Sequence, residues 1–573
     1  MVLVAAAVFA PTLRYGFVWD DPISIQRWLP ALDSVAAVFL PPANIPQFPA
    51  DYYRPLQLLS YKIDAALGGG APWVFHCSSV MWHVVVTSLV FLVGSRLWSA
   101  TATATVASTA SAILFAVHPI HSESVAWVAA RPDPMVGAFS LAALYLVLTT
   151  TQPTFARAAA IGLLTLAALL SKETGAAAIF LLPLAAWLPR EELAPAQKQP
   201  RHRYTPLWFT AGATAAAGAL YVVLRHVGLQ HYRGGEVVLP ESFVLTLLAA
   251  TGWYVWTLVW PFPQNAFVAE VPTHPWYVGV ALCASVGTAL GGLTALKKGQ
   301  YPIFFSLAWF WCTLAPSLAL LAMQPEAPVA ERYLYIPSIA FSWLAGQALA
   351  QVTLHLSGTK RSAVFALSFL LLAGLGTATL SRNEVWRDNV RLWTDTAAKN
   401  PHDGFALRNL AAAFLELGNA EEAERLLHEA LRRRNSRAGL YAIHSNLGTV
   451  AFLRGQYDEA AEHYRKAFDE RATGDAAYNL GIALFKAAEA TSKTDPATIQ
   501  QARQWLERAL SLSPYDPEIH YGYAEIVGLL GDHDLASRHF RRALELGLRE
   551  PQATRARSFL SAPPLKSRKG AAN

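Results

Sequence analysis

Charge is what this chain has least of. Asp, Glu, Lys and Arg make up 15% of its 573 residues, against about 25% in an ordinary soluble domain. The deficit falls almost wholly on residues 1–381, where apolar runs alternate with short polar loops, and this excludes a chain that is soluble throughout. Cysteine is also scarce. Cys77, Cys283 and Cys312 have neither zinc-ligand spacing nor a partner pattern, which excludes a disulfide scaffold and a thiolate metal site. The net charge is +6, but Lys and Arg are scattered, so no nucleic-acid footprint is expected. The amino end has no basic flank or small-residue cleavage site, so no cleaved signal peptide is expected.

What is present is a polytopic, all-α membrane part followed by a soluble helical part. Eleven spans are expected, at 1–14, 79–97, 102–118, 134–150, 156–170, 175–189, 206–224, 276–296, 302–323, 333–352 and 362–380, with 243–260 re-entrant or interfacial. Basic residues cluster in three loops (Arg190, Lys198, Arg201 and Arg203; Lys297 and Lys298; Lys360 and Arg361), and the positive-inside rule places these on the cytoplasmic side. The amino end then lies inside, and the repeats lie outside, periplasmic for a bacterial inner membrane. The loops 15–78, 118–133, 171–174, 225–242, 261–275 and 324–332, which carry the unusual polar residues, all fall on the outer face.

The domain reading is a membrane domain over 1–381, an amphipathic linker helix over 382–400, tetratricopeptide repeats over 401–560 and a disordered tail over 561–573. The repeat signal is local. Ala423, Ala460, Ala502 and Ala536 each precede a bulky residue four positions on (Leu427, Tyr464, Leu506, Phe540) and an alanine three beyond that (Ala430, Ala467, Ala509, Ala543). Small residues at such spacing let paired helices pack closely, and about four units stack into a solenoid whose groove takes a peptide.

The candidate site residues sit in the outer loops. Asp20 and Asp21 are adjacent carboxylates just after the first apolar run, where an ionised group is costly; either could take a proton from an attacking hydroxyl, and Asp20 is favoured. A solvated acidic loop or a helix cap is the plainer alternative. Tyr53-Arg54-Pro55 offers a guanidinium fork for a phosphate, or an interfacial anchor. His118, His121 and Glu123 lack a fourth metal ligand and Pro119 breaks the helical face, so imidazoles contacting sugar or phosphate are expected, with no metal site. Arg131 with Asp133, Lys172 with Glu173, and Glu331 with Arg332 complete a set of outward charges, electropositive on balance; Arg225-His226 and His231-Tyr232-Arg233 extend it.

In their order along nearly the whole chain, Trp19-Asp20-Asp21, Tyr53-Arg54-Pro55, His118-Pro119-Ile120-His121-Ser122-Glu123 with Arg131 and Asp133, Ser171-Lys172-Glu173, Glu331-Arg332-Tyr333-Leu334-Tyr335-Ile336-Pro337-Ser338, Trp386 and the repeats resemble the transmembrane and tetratricopeptide-repeat O-mannosyltransferases. The resemblance implies a GT-C-type inverting glycosyltransferase. It would need no cofactor beyond a lipid-linked sugar phosphate, moving a hexose such as mannose from a polyprenyl phosphate to Ser or Thr of a protein acceptor on the non-cytoplasmic face. It also implies that the catalytic position is the Asp20–Asp21 pair, that the donor is held by the residues above and embedded among membrane lipids, and that the repeat groove recruits the acceptor protein. The alternative from another class is a non-catalytic, membrane-anchored repeat scaffold for envelope or polysaccharide assembly.

Overall fold

The structure is a computed structural model that describes every residue except 43, 44, 46, 47, 49–51, 100, 151, 153, 190–204, 231–241, 324–326, 491–495 and 562–573. The basic loop with Arg190, Lys198, Arg201 and Arg203, the His231–Arg233 motif and all of the tail beyond Ser561 lie outside the described residues. The chain divides into two compact units, Met1–Lys399 and Asn400–Asn573. Both are helical, and the extended pairings among the described residues are two isolated bridges, one within each unit.

Among the described residues of the first unit, six helices are long and apolar enough to cross a membrane: Pro72–Leu97, Val128–Thr149, Pro206–Gly228, Pro275–Lys297, Tyr301–Met323 and Gly358–Trp386; the bent pair Ala104–Val117 and Pro119–Ala126 makes a seventh if it is one span. Shorter apolar helices, Val2–Arg14, Phe155–Ser171, Glu173–Trp187 and Phe243–Val259, fall at other expected positions. The expected span at 333–352 forms the helix Pro337–Leu354, which is outside the apolar set because it turns Ser338, Ser342 and Gln347 into the protein. The protein is thus an integral membrane protein. Its core is cross-braced by ring nitrogens. Trp343 Nε1 donates to the Val90 carbonyl at 3.0 Å, and Trp309 Nε1 to that of Ile336 at 3.1 Å. Such bonds fix register where lipid-facing surface cannot.

Proline sets where the site-bearing helices begin. A residue before proline is driven out of helical geometry, while proline itself is at ease in the first turn. Helix Ala104–Val117 therefore ends at His118, extended at ψ 126°, and the Pro119–Ala126 segment leaves at an angle of 51°. Arg54, non-helical at ψ 58°, stands just ahead of the helix that opens with Pro55, whereas Arg131 before Pro132 keeps helical angles within Val128–Thr149.

Close backbone approach also relies on missing side chains. A Cβ on Gly252 would lie 1.7 Å from the Tyr277 carbonyl oxygen, so helices Phe243–Val259 and Pro275–Lys297 touch there main chain to main chain. Gly252→Ala is expected to force them apart and cost about 1–3 kcal/mol or more, seen as a lowered Tm of the detergent-solubilised protein.

The described residues of the second unit form four helix pairs, from Phe405–Glu416 with Ala420–Leu431 to Pro517–Leu529 with His533–Glu545, and a further helix, Gln552–Ser561. All eight alanines of the repeat pattern are fully buried. Gly448 and Gly481 are equally required, since a Cβ would sit 2.7 Å from the Tyr464 ring and 2.8 Å from Leu506.

Candidate functional site

A cavity of about 970 Å³ opens in the first unit. Seven of the residues singled out above line it: Asp20, Tyr53, Arg54, Asp133, Lys172, Glu173 and Arg332. Trp28, Tyr52, Trp127, Tyr221, Arg225 and Tyr333 add rings and a further cation, while Ile179, Val222, Pro316, Leu320 and Met323 form an apolar wall.

The two aspartates part company. A tight turn is closed by the Asp21 amide donating to the Val18 carbonyl at 3.0 Å. The Asp21 carboxylate points inward, fully buried, and accepts the Ala129 N–H at 2.7 Å and the Val18 N–H at 3.1 Å. Burial nevertheless pushes its pKa up to about 7. Asp20, at the apex of the turn, is exposed into the cavity, and its carboxylate has no hydrogen bond among the described residues. The protein packed round the cavity mouth pushes its carboxyl up to about 6, while the charge of Arg332 pulls the other way.

The cations are paired with carboxylates, but not with the neighbours that the sequence sets beside them. Lys172 Nζ reaches both oxygens of Asp133, at 2.7 and 2.8 Å. Arg54 donates through Nε (3.1 Å) and Nη2 (2.8 Å) to Glu173 Oε2 and lies over the Tyr52 ring. Arg332 is paired with Glu123 through its guanidinium and, at 2.9 Å, its backbone N–H. The Tyr333 ring sits beneath both Arg332 and Lys172. Ion pairing of this kind holds positive groups still in a low-dielectric site and leaves spare N–H donors for a ligand.

Six of the singled-out residues stand behind the cavity wall. Besides Asp21, Glu123 serves Arg332. Arg131, expected among the phosphate ligands, is fully buried: it pairs with Asp64 at 2.6 Å, donates to Ser79, Ser60 and the Phe75 carbonyl, and lies over the Tyr61 ring. His118 and His121, expected near the sugar, are turned away by the Pro119 elbow. His118 Nε2 meets the Leu258 carbonyl at 3.1 Å, and His121 Nε2 meets Ser338 Oγ at 2.9 Å. Glu331 is buried too, accepting the Asn265 N–H at 2.7 Å and Gln264 Nε2 at 3.0 Å, so it ties the 264–265 loop to its neighbours. Among the described residues no three of His, Cys, Asp and Glu converge as metal ligands.

Sequence reasoning missed Asp64. Its signal was a lone carboxylate three residues after Tyr61, on the buried face of Pro55–Gly68. It also missed the conformation of Trp19, whose φ of 54° no residue pattern announces.

Residues 404–473 match the tetratricopeptide repeat family model. The chain is similar to Protein O-mannosyl-transferase Tmtc2 of Drosophila melanogaster, 34% identical over 160 residues that cover 28% of this chain and 16% of that protein. It is similar over more of its length to human Protein O-mannosyl-transferase TMTC3, 23% identical over 540 residues, 86% of this chain and 57% of that one. The chain therefore spans 57% or less of the length of these two curated relatives. Among solved structures, YrrB, a TPR protein with an unusual peptide-binding site, matches at 23% identity and a TM-score of 0.25, covering 30% of this chain and 81% of that one.

Proposed function

We propose, of a chain that belongs with the TMTC-like membrane proteins bearing tetratricopeptide repeats, that it transfers mannose or a similar hexose from a polyprenyl phosphate to Ser or Thr of a protein acceptor. The observation that carries the reading is the cavity itself, in which one unbonded carboxylate faces clamped cations beside an apolar wall. A polyprenyl phosphate is an amphiphile with those two needs. Arg54, Lys172 and Arg332 present N–H groups to its phosphate, and the wall from Ile179 to Met323 suits its isoprene units.

The chemistry then follows. The acceptor hydroxyl gives its proton to the Asp20 carboxylate, and its oxygen forms the new bond at the anomeric carbon as the sugar–phosphate bond breaks. The electron pair of that bond leaves on the phosphate, and the configuration inverts in one displacement. Charge grows on the departing phosphate, so the fixed cations stabilise the transition state more than the ground state. The repeat unit supplies a groove for the acceptor, and the site opens on the non-cytoplasmic side of a cell membrane, the bacterial inner membrane in this reading.

The test is direct. Purified full-length chain is given radiolabelled polyprenyl-phosphate mannose and a Ser/Thr-rich peptide. Labelled peptide is the expected product; its absence, with lipid and peptide binding retained, would favour the scaffold. A pH prediction accompanies it. Asp20 works as a base only when ionised, so turnover should be level above the value of about 6 to which burial raises it and fall as pH drops through that value. A profile flat down to pH about 4 would place the Asp20 carboxyl in the ordinary carboxylate range, against the raised value, and leave its role to the rates of Asp20→Asn.

A further inference from the structure

The Asp20 turn is held from a second side by the stretch of chain that leads out of the last span. Trp19 has φ 54°, in the left-handed region that a side chain as bulky as tryptophan avoids. Such a residue persists only where its surroundings over-determine it. Here they do so through segment 384–393. The Trp19 N–H donates to Asn389 Oδ1 at 2.9 Å. The Trp19 ring meets Trp393 edge-on at 5.0 Å and stacks flat on Trp127 at 4.6 Å, while Trp127 stacks in turn on Trp386. Further back, the Gly16 N–H donates to the Arg387 carbonyl at 3.2 Å, and the Tyr15 hydroxyl to Glu384 Oε1 at 3.0 Å.

We infer that Asn389 is a positioning residue for the transfer reaction, holding the Trp19 backbone in its left-handed turn so that the neighbouring Asp20 carboxylate faces the cavity. The inference rests on the reading of Asp20 as the base. The sequence marks this helix, Asn389–Lys399, as an amphipathic lead-in to the repeats; its contacts make it part of the site. Asp21 and Ala129 fix one side of the turn, and Asn389 fixes the other. If the Asn389 oxygen is lost, Trp19 can relax to negative φ, and the peptide bearing Asp20 rotates with it. The side-chain amide is what matters, since its oxygen is the acceptor for a backbone N–H.

The experiment uses the full-length chain with polyprenyl-phosphate mannose and a Ser/Thr peptide as probes. Asn389→Ala is expected to lower kcat about tenfold or more, as small misplacements of a reacting group do, with donor KM within about twofold of wild type. Asn389→Asp keeps an acceptor oxygen and should restore most of kcat, whereas Arg391→Ala, which removes an exposed pair with Asp388 on the same helix, should leave it unchanged. Hydrogen exchange of residues 15–21 gives a readout independent of transfer: the Trp19 amide should be protected in wild type and in Asn389→Asp, and exchange faster in Asn389→Ala. Wild-type kcat and exchange in Asn389→Ala would overturn the inference, as would equal losses in the Ala and Asp variants. A wild-type chain that transfers nothing would sink the reading of Asp20. The exchange rates would then still decide whether Asn389 holds the turn.

Discussion

Replacing Asp20 with Asn is expected to reduce transfer by about 10²–10⁴-fold, the range a well-placed general base contributes, while the protein inserts, folds and melts as wild type does. The second half of that expectation follows from geometry. The Asp20 side chain is exposed in the cavity and makes no hydrogen bond among the described residues, so an isosteric amide removes a proton acceptor and no structural bond. Asp21→Asn should behave in the opposite way. Its two oxygens each accept a buried backbone N–H, and an amide can offer only one acceptor, with its NH2 group facing the other donor. One buried N–H left without a partner costs about 1–3 kcal/mol, so Asp21→Asn should lower Tm and slow transfer by displacing the turn. Initial rates and thermal melts of both variants separate the roles. Wild-type turnover in Asp20→Asn would end the assignment, and loss of turnover in Asp21→Asn at an unchanged Tm would move the base one residue along.

The contrast shows what a sequence can and cannot convey. The repeats were legible because each is a local object: an alanine and a bulky residue four apart meet across a single helix pair whatever the rest of the chain does. Most expected spans were legible for a similar reason, since hydropathy is summed along one helix. Helix Pro337–Leu354 fell below the line because its polar positions face protein partners elsewhere in the chain. The charged residues were the hardest to read. A sequence lists Arg54, Arg131, Lys172 and Arg332 as four alike cations, but their meaning comes from partners far along the chain: Glu173, Asp64, Asp133 and Glu123. Three of these pairs place their cation on the cavity wall, and one buries it. Likewise His118 and His121 read as polar groups at a membrane edge. The bend at Pro119, itself predictable, turns them toward Leu258 and Ser338.

Arg131 supplies the sharpest test of that distinction, because two accounts of one residue predict different failures. If it were a phosphate ligand, losing Asp64 would leave the fold intact and change donor affinity by freeing a cation. In the structure Arg131 has no exposed surface, and Asp64, 4% exposed, is its counter-charge. Asp64→Ala therefore leaves a guanidinium in a dry interior with only neutral acceptors at Ser79, Ser60 and Phe75. Breaking a buried pair from one side costs about 3–5 kcal/mol, a large share of the 5–15 kcal/mol that typically holds a domain together. The expected result is a steep fall in folded yield and Tm, with donor KM unchanged in whatever protein survives. Adding Arg131→Met should recover much of the loss, since a neutral side chain of similar length removes the orphan charge while keeping most of the packing against Tyr61 and Phe75. An Asp64→Ala protein that melts as wild type does but binds donor differently would return Arg131 to the site, and the cavity would then need a deeper floor than Pro132 and Asp133 give it.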